Sequence, residues 1–372
     1  MSIDMLVFGE DWGQHPSSTQ HLIKQMLHEQ EIVWVNSLGL RRPRLNSRDL
    51  KRAWHKLWAL REKRPIHPAT LTPHLVNPLA LPFPGSATAR RVNSQLLTRT
   101  LAPVIGQSRG HLLWTSLPSA VDVVGKLGER ATVYYCGDDF AALDGVDHEP
   151  VARMEQELAA KSQLIIAASS KLAQKFPAFK TMTLPHGVDY DLFATPCDAA
   201  SDLPTGPVAG FYGAIAGWFD QQLMVATARK LPHWKFILIG PATVDTSVLS
   251  AEPNVQLLGP KPHDELPHYS QHWDAGLLPF KDNQQIAACN PLKLREYLAA
   301  GSPVVTTEFP ALEGYRDLVH TGKSASDFAQ ALNNIHDQHH YQQVTRQQRQ
   351  ARVQSESWTR RADELKDILR AL

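Results

Sequence analysis

The sequence predicts an α/β protein of two doubly wound, Rossmann-like domains facing an interdomain crevice. Three observations carry this. A chain of 372 residues exceeds what one ordinary hydrophobic core serves, so two domains are expected. Residues 3–35 read as strand, loop, amphipathic helix and strand, the opening of a parallel sheet. The same order restarts at Val208, after a stretch rich in Pro, Asp and Ala.

Residues 3–8 form an apolar strand ending at Gly9-Glu10-Asp11-Trp12-Gly13. Ser17 or Ser18 can cap the next helix, with Leu22, Ile23, Met26 and Leu27 on its inner side. Ile32–Val35 is the second strand. Residues 65–85, rich in Pro and polar side chains, read as an irregular loop. Leu112–Thr115, 132–135 and 164–168 are further buried strands, with a helix at 149–161. Residues 184–193 run into a linker at 194–206. The second half then places strands at Val208–Tyr212, 235–240, 254–258 and 275–279, with helices from about 220 and at 266–272. The last helix, 357–371, puts Trp358, Ala362, Leu365, Ile368 and Leu369 on one side. The expected domains are 1–193, joined by a C-terminal helix at 350–372, and 207–349.

Composition narrows the function classes. The chain is 43% hydrophobic and 20% charged, as in soluble globular proteins. No apolar run reaches the roughly 18 residues of a membrane span, and Asp4, Glu10 and Asp11 interrupt what a signal peptide would need. Cys136, Cys197 and Cys289 lie far apart, so neither a disulfide framework nor a metal site is expected, and a cytoplasmic location fits. Net charge is +1, but residues 41–64 hold ten Lys/Arg against Asp49 and Glu62, a local +8 that leaves −7 for the rest. Within that segment Leu50, Trp54, Leu57 and Trp58 share a helical face bordered by Lys51, Arg52 and Lys56. Such a helix can lie on an anionic membrane or contact an acceptor, and can equally pack on the first domain with a solvated basic side. Nucleic acid is not expected, because the rest of the chain is acidic and carries no recognition motif.

The most informative stretch is Asn290-Pro291-Leu292-Lys293-Leu294-Arg295-Glu296-Tyr297-Leu298-Ala299-Ala300-Gly301-Ser302-Pro303-Val304-Val305. It reads as loop, short helix, glycine stop and buried strand. Lys293 and Glu296, three apart, share a helix face near its N-terminus. A lysine beside free backbone N–H groups suits a diphosphate, and a carboxylate one turn on suits a ribose diol. The alternative is an amphipathic helix with a solvated Lys/Glu pair. Gly213 ends a strand and precedes Ala214, so a phosphate can approach the backbone there. Asp138 and Asp139 follow a buried strand, where a carboxylate can take a proton; Asp139 also suits a helix cap.

Five ordered segments carry a resemblance. They are Asp138-Asp139 after their strand, "P-H-G-V-D" at 185–189, "G-F-Y-G-A-I-A-G-W-F-D" at 210–220, "N-V-Q-L-L-G-P" at 254–260, and the 290–305 run. The closing "S-W-T-R-R-A-D-E-L" at 357–365 is similar to the terminal helix of the same enzymes. Together they resemble GT-B glycosyltransferases of bacterial cell-surface polysaccharide synthesis, close to glycosyltransferase family 4 and the teichuronic acid transferase type. The plan is similar to the glucuronosyltransferase of xanthan assembly. The match covers most of 1–25 and 130–372; residues 40–110, the region that usually meets the acceptor, match nothing.

The resemblance implies a metal-independent hexosyltransferase with no cofactor. A nucleoside diphosphate sugar, UDP- or GDP-linked, would be the donor, and a polyprenyl-linked or growing glycan the acceptor. Lys293 would neutralise the diphosphate and Glu296 hold the ribose. Asn290, Gly213 and Ala214 would line the phosphate or sugar; His186, at the linker, would either reach the donor from the first domain or serve as a hinge histidine bonded to backbone. The base of the inverting relative falls nearest Asp138. Where many retaining family 4 enzymes carry a second glutamate, eight residues before the ribose-binding one, this chain has Ala288. A nucleotide-sugar epimerase of the same fold, or an inactive donor-binding scaffold of glycan assembly, are the competing expectations. A peripheral position on the inner face of the cell membrane is expected from the basic segment.

Overall fold

A computed structural model of the chain describes residues 3–13, 17–37, 71–81, 83, 85–106, 108, 110–143, 146–337 and 342–372. The basic segment with Lys51, Arg52, Trp54, Lys56 and Trp58 lies outside the described residues. The chain divides into two compact units, Met1–Leu184 with Ala362–Leu372, and Pro185–Arg361.

The first unit holds a seven-stranded sheet of order β3-β2-β1-β4-β5-β6-β7. Its strands are β1 (Met5–Phe8), β2 (Ile32–Val35), β3 (His74–Val76), β4 (Leu112–Thr115), β5 (Ala131–Cys136), β6 (Leu164–Ala167) and β7 (Thr181–Thr183). Every pairing is parallel. The central strands are buried on both faces, which is why they read as unbroken apolar runs rather than alternating ones. Helices α1 (Ser18–Met26), α2 (Ala87–Ile105) and α3 (His148–Lys161) cover the sheet. Two features depart from expectation. The segment read as irregular at 65–85 contains edge strand β3, and α2 emerges from sequence that matched no pattern.

The second unit holds a six-stranded parallel sheet of order β10-β9-β8-β11-β12-β13. Its strands are β8 (Val208–Tyr212), β9 (Lys235–Ile239), β10 (Val255–Gly259), β11 (Ala275–Leu278), β12 (Val304–Thr306) and β13 (Val319–Thr321). Its longer helices are α4 (Gln221–Lys230), α5 (Leu292–Ala300), α6 (Ala325–Asp337) and α7 (Gln342–Gln354); α8 (Trp358–Arg370) begins in this unit and ends in the first. In both sheets the strand order reverses beside the first strand, between β1 and β4 and between β8 and β11. In such sheets ligands bind beyond the carboxyl ends of the strands at these switch points.

The unit boundary falls earlier than the sequence placed it, at 184/185 rather than near 193, and 350–361 stays with the second unit. The cause is a local pairing. Val188 N–H donates to the Glu356 carbonyl at 2.9 Å, and Trp358 N–H donates to the Val188 carbonyl at 3.1 Å. Val188, Phe193 and Val353 are buried in the second unit's core. Helix α7 also closes α5: Arg349 Nε donates to the Gly301 carbonyl at 3.0 Å and Gln350 Nε2 to the Ala299 carbonyl at 3.1 Å, satisfying carbonyls that a helix end leaves open. Burial and the neighbouring Arg346 bring the Arg349 guanidinium down to about 10.

Candidate functional site

In the second unit the site grows from the β8/β11 switch point. Strand β8 is followed by Gly213, whose φ is +133°, a conformation that disfavours any side chain. Its N–H donates to the Ile239 carbonyl at 2.7 Å, tying the turn to β9. Ala214 follows before Ile215 rejoins the neighbouring strand through Pro241. A methyl group built on Gly213 would lie 2.0 Å from Cε of Lys293, so the lysine stem crosses directly over this glycine. Lys293 is the second residue of α5, and the cap position, Pro291, provides no side-chain hydrogen bond. The ammonium lies 5.7 Å from the Trp218 ring centroid, a cation–π distance. Glycine turn, helix N-terminus and cation therefore converge, the arrangement that binds phosphate.

Glu296 lies one turn along α5 and is buried. His263 Nε2 is 3.2 Å from its Oε1. Beside it, burial and then the charge of Glu296 push the Tyr212 phenol well above its ordinary value, and Tyr297 is raised by burial with a smaller contribution from the same carboxylate. Both stay protonated at neutral pH.

Asn290 is held by its carbonyl end, which accepts from the buried Arg295 guanidinium. Arg295 Nε also donates to Glu356 Oε2 at 2.6 Å, and the guanidinium stacks 5.4 Å from Tyr315. His186 was expected to act from the first domain, but it belongs to the second unit. Its buried ring lies 6.4 Å from Trp358. Burial, then the nearby Arg295 and Arg361 charges, lower it to about 3, so it is neutral in any ordinary buffer.

In the first unit, Asp138 and Asp139 follow β5, and their environments differ. Asp138 is exposed, whereas Asp139 is buried. Asp139 Oδ1 accepts from Lys175 Nζ at 2.8 Å and from the Ala141 N–H at 3.2 Å. The same Lys175 donates to Glu155 Oε2 at 2.8 Å, and Glu155 Oε1 accepts from the Tyr134 hydroxyl at 2.7 Å. Burial disfavours the Lys175 cation, but the two carboxylates outweigh it and raise its pKa. Asp139 and Glu155 therefore share one ammonium, and Asp138 has no part in that triad. Among the described residues between β1 and α1, Ser17 Oγ donates to Glu10 Oε2 at 2.7 Å and the Gly13 N–H to Gln20 Oε1 at 3.1 Å.

Of the residues singled out in the sequence, the structure lays Lys293 over Gly213, which Ala214 follows, and sets Glu296 one turn along the helix that begins just after Asn290. Sequence reading missed His263, Arg295 and Trp218. Arg295 lay inside the motif, but its neighbour Glu356 is 61 positions away. Among the described residues no group of three or more His, Cys, Asp or Glu could hold a metal, and no helix is long and apolar enough to cross a membrane.

Known proteins share this architecture. The chain aligns over its whole length with Anabaena HepE crystallised with UDP and glucose, at TM-score 0.71 and 13% identity, covering 100% of both chains. Sucrose-phosphate synthase of Thermosynechococcus elongatus aligns at TM-score 0.73 and 14% identity, over 99% of this chain and 98% of that one. The fold is GT-B. Residues 206–338, which contain the whole Gly213–Lys293–Glu296 arrangement, match the family described as "Glycosyl transferases group 1". Over 233 residues the chain is 28% identical to the "Putative teichuronic acid biosynthesis glycosyltransferase TuaH" of Bacillus subtilis (strain 168), a match covering 57% of this chain and 59% of the relative's length.

Proposed function

We propose that the protein is a glycosyltransferase that moves a sugar from a nucleoside diphosphate sugar to a lipid-linked or growing glycan of the bacterial cell surface. The observation that carries this reading is the Lys293 stem laid over Gly213 at the start of α5, with Glu296 one turn on. Lys293 and the helix N-terminus receive the diphosphate, and Glu296 accepts from the ribose. Asn290 offers its amide N–H₂ to phosphate or sugar, because its carbonyl end is already engaged by Arg295. UDP is the first donor to test, since HepE was crystallised with UDP. The first unit receives the acceptor, and the basic segment at 41–64 draws the enzyme to the inner face of an anionic membrane.

In the chemical step the acceptor hydroxyl oxygen bonds to the anomeric carbon as the carbon–oxygen bond to the diphosphate breaks. The diphosphate leaves with the electron pair and is stabilised by Lys293. The hydroxyl proton passes to the Asp138 carboxylate, and the anomeric centre inverts. Ala288, at the position of the second glutamate of many retaining relatives, is compatible with that outcome.

Calorimetry with UDP and GDP tests the donor half. Lys293→Ala should weaken binding of the accepted nucleotide roughly 10- to 100-fold, the worth of a charge-assisted hydrogen bond. Turnover with acceptor lipid extract tests the other half. Asp138→Asn should lose roughly 100-fold or more in kcat while keeping donor affinity, as for a base acting only in the transition state. Unchanged nucleotide affinity in Lys293→Ala would refute the donor site. Normal turnover in Asp138→Asn would refute the base.

A further inference from the structure

Glu296 needs more than its place on α5 to present an oxygen in a fixed direction, because rotation about the last bond of a glutamate is broad. A neighbour far along the chain restrains it. After β10 the chain runs through Pro260, Lys261 and Pro262, and His263 opens a single 3₁₀ turn, His263–Glu265. There its Nε2 sits 3.2 Å from Glu296 Oε1. An ionised carboxylate only accepts, so the contact places the imidazole proton on Nε2. The imidazole is itself packed, edge-on at 5.4 Å against Phe193, which is fully buried. The phenols of Tyr212 and Tyr297 lie within the field of the same carboxylate and are held neutral.

We propose that His263 is a positioning residue for ribose recognition. By donating to Oε1 it turns Glu296 so that the other carboxylate oxygen faces the vicinal hydroxyls of a ribonucleoside diphosphate. The inference rests on the reading of Glu296 as the ribose contact. It assigns this chain a selectivity for ribose over 2′-deoxyribose nucleotides that depends on a residue outside the Lys293–Glu296 motif.

The test is calorimetry on the full chain with UDP, GDP and their 2′-deoxy analogues. Wild type should prefer the ribonucleotide by roughly tenfold or more, the worth of one hydrogen bond to a charged group. Glu296→Ala should lose the preference. His263→Ala should lose most of it, and His263→Gln, whose amide N–H can replace Nε2, should restore it. If His263→Ala keeps the wild-type preference while Glu296→Ala loses it, the inference fails and the donor reading stands. A loss in His263→Ala that His263→Gln does not restore also overturns it, because packing against Phe193 would then be the cause. If Glu296→Ala keeps the preference, or wild type binds neither nucleotide, the donor reading fails and the inference with it.

Discussion

His186 shows how a single buried side chain couples the second unit to pH. Above about 6.5, the ordinary histidine value, the imidazole is neutral whether the chain is folded or not, and it adds no pH dependence. Below that, the unfolded chain binds a proton that the folded chain refuses until about pH 3, because burial and the Arg295 and Arg361 charges oppose it. His186 therefore makes stability fall as pH drops from about 6.5 towards 3. Denaturant midpoints measured across that range should decline less steeply in His186→Gln than in wild type, and coincide in shape above pH 7. Parallel slopes would show that the imidazole titrates normally. Residue roles were unevenly legible in the sequence. Asp138 and Asp139 look equivalent as neighbours, and only the Lys175–Glu155 triad separates them. His263 was invisible as a partner of Glu296 because 33 positions and strand β11 intervene.

Elements were easiest to read where burial is two-sided. Strands such as β5 and β8 are buried throughout and almost wholly apolar, as strands covered on both faces are, so composition reveals them. Edge strands carry no such signal: β3 is three residues long with two of them exposed, and β7 is a Thr-Met-Thr run. Helix α2 hid for a different reason. Its buried Leu97, Leu101 and Ile105 are spread among polar residues, and Pro103 inside it reads as a breaker. The turn that follows β8 is the element on which the proposed donor site rests, and Gly213 and Gly240 beside it differ in what surrounds them. An alanine at 213 meets the far end of a flexible lysine, whereas one at 240 meets the Gly213 carbonyl oxygen at 2.1 Å, backbone that cannot swing aside. Gly213→Ala should therefore reduce nucleotide affinity as Lys293→Ala does, with a backbone strain cost of about 1–3 kcal/mol. Gly240→Ala should lower the melting temperature more. Equal effects on melting and on UDP affinity would mean that the lysine does not lie over the turn in solution.

At the scale of the molecule, each unit has its own parallel sheet and its own core. Nucleotide binding to the second should then slow amide exchange locally. Hydrogen exchange with saturating UDP should protect the end of β8, the segment from Gly259 to Glu265 and the first turn of α5. Strands β1 to β6 should exchange as in the free protein. Protection centred on β1 or β4 would place the nucleotide in the other unit.

The first unit is completed by residues that come last in the chain. Beyond Arg361, helix α8 buries Ala362, Leu365 and Leu369, donates from Lys366 to Glu29 at 2.7 Å, and receives Arg130 on the Leu369 carbonyl at 3.3 Å. On the ribosome, where synthesis runs at about 5–20 residues per second, β1 to β7 emerge first yet wait for the whole of the second unit to be translated before their final helix arrives. The nascent first unit thus carries an open apolar patch for roughly ten to forty seconds at that rate. Apolar surface held open for such an interval is what aggregates and what chaperones cover.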